Sequence, residues 1–205
     1  GAAVLAIFIG GLGAGSLLIG PRVDRHPLPL ALYARLEALV ALAAALSPLL
    51  LLFVREVYLA VGGSLALGPV LGTALRLVLA ALVLALPTVL MGGTLPAAAR
   101  EIESEGDARR RGTAVLYGAN TLGAVLGALL TTFVALERFG NRGTLFAACA
   151  LNLLVAMAAG RMARRLSVAD PRAAAPPALV EAGGVAPERR FVLAAPGSRN
   201  PVLAG

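Results

Sequence analysis

The sequence predicts an all-α fold, a polytopic transmembrane helical bundle with about five membrane spans, and three observations carry this. Five apolar runs, residues 1–20, 28–54, 74–99, 113–136 and 143–160, recur along the 205-residue chain. At about 1.5 Å per residue each approaches or crosses a hydrocarbon core of roughly 30 Å. Hydrophobic residues make up 59% of the chain, charged residues only 14%, and the mean hydropathy is +0.85; soluble domains carry about 25% charged residues. Most runs are apolar all the way round rather than along one stripe, so the solvent expected around them is lipid.

The first run holds Gly10, Gly11, Gly13, Gly15 and Gly20. Gly11 and Gly15, four apart, share a helix face and let a neighbouring backbone approach closely. A charged turn over 21–27 follows, bracketed by Pro21 and Pro27, with His26 expected at the surface. The second run, 28–54, carries Tyr33, Arg35 and Glu37 in its first third. Arg35 can snorkel back toward the headgroups. Glu37, about 14 Å from the start of the run, cannot reach water easily. A carboxylate at that depth costs several kcal/mol unless it is paired, protonated or hydrated. Ser47-Pro48 is expected to kink this helix.

Residues 55–73, with Gly62-Gly63 and Gly68-Pro69 as breakers, read as a loop with an interfacial segment. The third run contains Pro87 and ends in Met91-Gly92-Gly93-Thr94-Leu95-Pro96, which reads as a broken or kinked helix end. A polar stretch over 100–112 separates it from the fourth run. There Tyr117, Asn120, Gly123, Gly127 and Thr131 recur at spacings of three and four, an inward seam of small and polar groups. Glu137 to Arg142 reads as a tight turn before the fifth run. The transmembrane domain is placed at 1–165. Residues 166–205, rich in Ala, Pro, Gly and Arg, read as linker or disordered tail.

The net charge of +7 comes from eighteen arginines and no lysine against eleven acids. No aromatic-interleaved basic face accompanies it, so nucleic acid is not expected as a partner. The arginines fall between the runs instead. Ten lie in the 20–27, 100–112 and 161–172 segments, which the positive-inside rule places in the cytoplasm. Alternation then expects a further helix before residue 1. Segment 1–20 has no charged leader or cleavage site, so it does not read as a signal peptide. Cys149 is the one cysteine, inside an apolar run; a metal site is not expected and no cofactor is implied.

Gly20-Pro21-Arg22-Val23-Asp24-Arg25 resembles the core of the loop joining helices two and three in the major facilitator superfamily, although the usual basic tail is replaced by His26-Pro27-Leu28. That resemblance implies a conformational latch built from Asp24, Arg22 and Arg25. A longer pattern covers roughly residues 4–160. Its most specific parts are Met91-Gly92-Gly93-Thr94-Leu95-Pro96 and Tyr117-Gly118-Ala119-Asn120-Thr121-Leu122-Gly123. It is similar to the membrane region of bacterial proteins in which a facilitator-like helical domain is fused to a spermidine-synthase-like domain. The resemblance implies the bacterial inner membrane, one helix ahead of residue 1, and further helices or a synthase-like domain after residue 200.

Catalysis is not expected of this polypeptide. The only glycine-rich candidate for a nucleoside loop, Ala182-Gly183-Gly184-Val185, has no strand before it and no helix after it. Aminopropyltransferase-like activity would need the additional domain. Three functions remain for the membrane part. One is binding or transport of a small cationic solute such as a polyamine, with Glu37, Tyr117 and Asn120 as solute or proton-coupling residues. The second is a stand-alone transporter half, which would need a partner half or a homodimer to enclose a pathway. The third is a non-transporting anchor for an enzyme domain, and the plain alternative for Glu37 is a structural hydrogen bond to Tyr117, Asn120 or a helix backbone.

Overall fold

The computed structural model describes residues 1–102 and 107–169, and every regular element in them is helical. Five helices run in chain order: α1 (Ala2–Asp24), α2 (Pro29–Ala60), α3 (Gly63–Glu101), α4 (Asp107–Leu130) and α5 (Leu136–Ala169), with a π-helical turn, Thr131–Ala135, between the last two. Four helical stretches are long and apolar enough to cross a membrane; the fourth covers Arg111–Val168. The protein is an all-α transmembrane bundle. The expected tail lies outside the described residues from 170 onward, with the glycine-rich 182–185 segment, and α5 carries the helix four residues past the expected boundary at 165.

α1 runs through Pro21 to Asp24, so the turn expected over 21–27 shortens to 25–28. Val23, in that last helical turn, is buried between helices and rewards the extension. α2 begins with Pro29 at its first position, where a missing N–H is harmless. The His26 Nδ1 accepts the Leu28 N–H at 3.1 Å, which fixes the turn. Half-buried His26 is therefore a structural acceptor rather than a free surface group. Farther along, Pro48 leaves the Ala44 carbonyl without its backbone donor, and the Ser47 hydroxyl donates to that carbonyl at 2.7 Å.

The segment expected to be a loop over 55–73 is mostly helix. α2 continues to Ala60, the chain reverses at Gly62 and Gly63 (φ 83° and 57°), and α3 starts at once. The second breaker only interrupts α3, at Gly68 (φ 70°, ψ 179°). A polar knot closes this end. Arg76 Nε donates to the Tyr58 hydroxyl at 2.9 Å, its Nη2 donates to Ser64, and Tyr58 and Ser64 share a 2.7 Å hydrogen bond.

The Met91–Pro96 stretch is not a broken helix end. Past its first residue, Gly63, the backbone of α3 departs from helical angles only at Gly68, so Pro87 and Pro96 are carried within a continuous helix. The stretch Arg111–Val168 breaks once, at Gly140 (φ 63°, ψ −179°), and the expected turn over 137–142 is reduced to that residue. Gly112 lies against Ile102, while Ser167 and Val168 lie beside Leu28. The two legs thus start and finish at the same end of the bundle.

The helices pack in the order α1, α3, α2, α5. Val23, Leu36 and Ala97 form the central cluster, flanked by Ile19, Leu32, Tyr33 and Leu90. Among the described residues α4 meets only the end of α3 and the π-turn, and it does not touch α2. Large apolar side chains such as Leu17, Leu65 and Val70 point outward, as a lipid-facing surface requires.

Candidate functional site

The candidate site begins on α2, one helical turn apart. Tyr33 and Glu37, at i and i+4, share a face, and the two side chains are neighbours there. Two buried stripes flank this face. Leu36 belongs to the cluster with Val23 of α1 and Ala97 of α3, whereas Ala34 meets Gly160 of α5. At roughly 100° per residue, Glu37 falls between the two. It is half-buried at the seam between neighbouring helices. Arg35, two residues away, is about 200° around the helix and points elsewhere. Among the described residues Glu37 has no cationic partner within ion-pair distance. Tyr33 is its polar neighbour on the same helix face.

Tyr117 and Asn120 are not brought to Glu37. Both are exposed on α4, Tyr117 at 52%, and among the described residues α4 makes no contact with α2. The α4 glycines are equally bare: a Cβ added at Gly123 or Gly127 would meet nothing within 4 Å. The periodicity of this seam is real, but among the described residues it has no neighbour. Cys149 is buried on α5. Among the described residues no group of three His, Cys, Asp or Glu side chains could hold a metal ion.

Gly11 and Gly15 do pack, and α3 is what they pack against. A Cβ at Gly11 would overlap the Thr88 side chain, and one at Gly15 would overlap the Val89 carbonyl and come within 2.9 Å of the Gly92 Cα. Gly92 returns the contact onto the Leu12 carbonyl and Gly15, while Ile19 covers Gly93. Thr88, 2% exposed, satisfies its hydroxyl within α3, donating to Leu84 O at 2.7 Å. It thereby offers α1 an already satisfied side chain. The seam is a close backbone-to-backbone contact without interhelical hydrogen bonds of its own.

At the α1/α2 end, Asp24, Arg22 and Arg25 are exposed. Arg22 donates to the Leu18 carbonyl of its own helix, and Asp24 has no ion-pair partner among the described residues. The carboxylate that joins helices here is Glu101. Its Oε2 accepts the Leu30 N–H at 3.1 Å, so the last turn of α3 caps the first turn of α2. Nothing local in the sequence marks Glu101, because its partner lies 71 residues away. Glu101→Ala should lower stability by about 1–2 kcal/mol through loss of a charge-assisted bond and its dipole interaction. A thermal melt in detergent checks this; an unshifted midpoint would remove the cap from the account.

No protein family, curated protein or solved structure matches the chain.

Proposed function

We propose that this chain is the membrane domain of a facilitator-like, synthase-fused protein of the bacterial inner membrane, and that Tyr33 and Glu37 receive a small cationic solute such as a polyamine. The carrying observation is Glu37 itself: a half-buried carboxylate well inside a membrane helix, with neutral Tyr33 one turn back and no cation within ion-pair distance among the described residues. Such a group is costly in lipid unless a cation or a proton joins it, which is the condition that a solute or coupled proton fulfils. In this reading Tyr33 holds the carboxylate in place. Tyr117 and Asn120 would then belong to a surface for additional helices, in keeping with the bare face of α4. The ten arginines in 20–27, 100–112 and 161–172 support placing the α1/α2 end in the cytoplasm.

The anchor reading has one observation in its favour. The groove beside the first third of α2 is lined by Arg35 and further arginines rather than by Glu37, which repels a cation on that side. Spermidine binding to the purified chain separates the two. Calorimetry on the parent, Glu37→Gln and Glu37→Leu should show saturable binding in the parent and loss of about tenfold or more in both variants. Glutamine keeps the shape and hydrogen bonding but not the charge. A Glu37→Gln variant that binds spermidine like the parent makes Glu37 structural, and a parent that binds none leaves the anchor.

A further inference from the structure

Between α2 and α5, at the α1/α2 end, lies a groove of about 780 Å³. Its chemistry is graded along its length. Arg35, Arg161, Arg164 and Ser167 occupy the part nearer the helix ends, and Leu153 and Met157 line the deeper part. The Gly160 contact with Ala34 sets the alignment of the antiparallel helices, so Arg35 stands about 3 Å deeper than Arg161, and Arg164 lies nearly one turn closer to the end than Arg161. All three arginines are exposed. None has an acidic partner within ion-pair distance among the described residues. The nearest acid along α2, Glu37, is about 200° around the helix from Arg35 and on another face.

We propose that this groove binds one anionic diacyl phospholipid, with its phosphate on Arg161, Arg164 and Arg35 and one acyl chain along Leu153 and Met157. Three features select this occupant over others. Guanidinium groups match phosphate oxygens in fork geometry and are less strongly hydrated than ammonium groups. Basic pockets between transmembrane helices suit anionic headgroups. The passage from charge to aliphatic lining over about 16 Å, from Arg164 to Leu153 along α5, follows the polarity of a lipid and not that of a free anion. Small residues along the shared seam, Ala34 and Ala156 among them, leave the space in which the chain lies. The proposal is independent of any role for Glu37.

The test is native mass spectrometry of the purified chain in detergent, titrated with phosphatidylglycerol and separately with phosphatidylcholine of the same acyl chains. The parent should retain one phosphatidylglycerol with a preference of about tenfold or more over phosphatidylcholine, and the R161Q/R164Q variant should fall to parity. R165Q removes a single neighbouring charge from the same helix outside the groove and should keep the preference. Far-UV circular dichroism confirms that each variant remains helical, and R35Q replaces the double variant if that one loses its helicity. Equal retention of the two lipids by the parent overturns the proposal, as does an undiminished preference in R161Q/R164Q or, when it serves as the replacement, in R35Q. A third arm adds inorganic phosphate. If phosphate displaces the lipid at equal concentration, the site is for a free anion and the lipid assignment fails.

Discussion

Gly15→Leu should leave no stable bundle. Any side chain at this position enters the backbone of α3, at the Val89 carbonyl and the Gly92 Cα, and backbone cannot rotate aside as a side chain can. The helices must separate along the whole seam, which also uncovers Thr88 and the Val23–Leu36–Ala97 cluster. Overpacking alone costs about 1–3 kcal/mol where neighbours can adjust, and here the adjustment is unavailable, so the loss should exceed that range. Gly92→Leu should behave the same way from the other side. Leu17→Ala, at a position 78% exposed, is the control and should purify like the parent. Size-exclusion profiles and melting midpoints in detergent decide the matter. Variants of Gly15 and Gly92 that run and melt as the parent would dissolve the α1–α3 contact.

Gly140→Ala should also destabilise strongly, for a different reason. Nothing lies within 4 Å of a Cβ there, so packing contributes nothing to the effect. The backbone sits at φ 63°, ψ −179°, a region that is essentially glycine's own and costs other residues about 1–3 kcal/mol. Gly118 lies within helical α4 and is equally open, so Gly118→Ala should instead raise stability by up to about 1 kcal/mol. Opposite signs for the same substitution in the same kind of space are the expected signature. Shifts of equal sign in a thermal melt would mean that the break is not at Gly140.

Hydropathy made the helices legible, because in a membrane an uninterrupted apolar run has few alternatives to helix. It also exposed Gly11 and Gly15 as a packing face. It did not reveal the partner, since glycine spacing specifies a close approach and not which backbone makes it. Breakers were less informative. Gly62-Gly63 does reverse the chain, whereas the neighbouring Gly68-Pro69 merely interrupts a helix, and composition cannot separate the two. Prolines misled for a related reason. At Pro21, Pro87 and Pro96 the chain stays helical, and near Pro48 a hydroxyl from Ser47 supplies the missing donor. Glu37 stands out because its depth can be counted; its neighbour one turn back is Tyr33, whereas Tyr117 and Asn120 lie on α4, away from α2 among the described residues. The Glu101 cap was invisible, being a contact between two helix ends remote in sequence.

The glycine contact between α1 and α3 also acts as a depth gauge. Sliding α1 by one residue would push Ala14 or Ser16 into the place of Gly15. Sliding it by four, about 6 Å, would drive Ile7 onto Thr88 or Ile19 onto Gly92. Neither shift fits, so α1 meets α3 at a single height. How far Asp24 and the charged turn protrude is therefore dictated by α3 and not by α1's own hydrophobic length. In a thinner or thicker bilayer the two helices must tilt together as one rigid blade, and the mismatch is passed to the surrounding lipid.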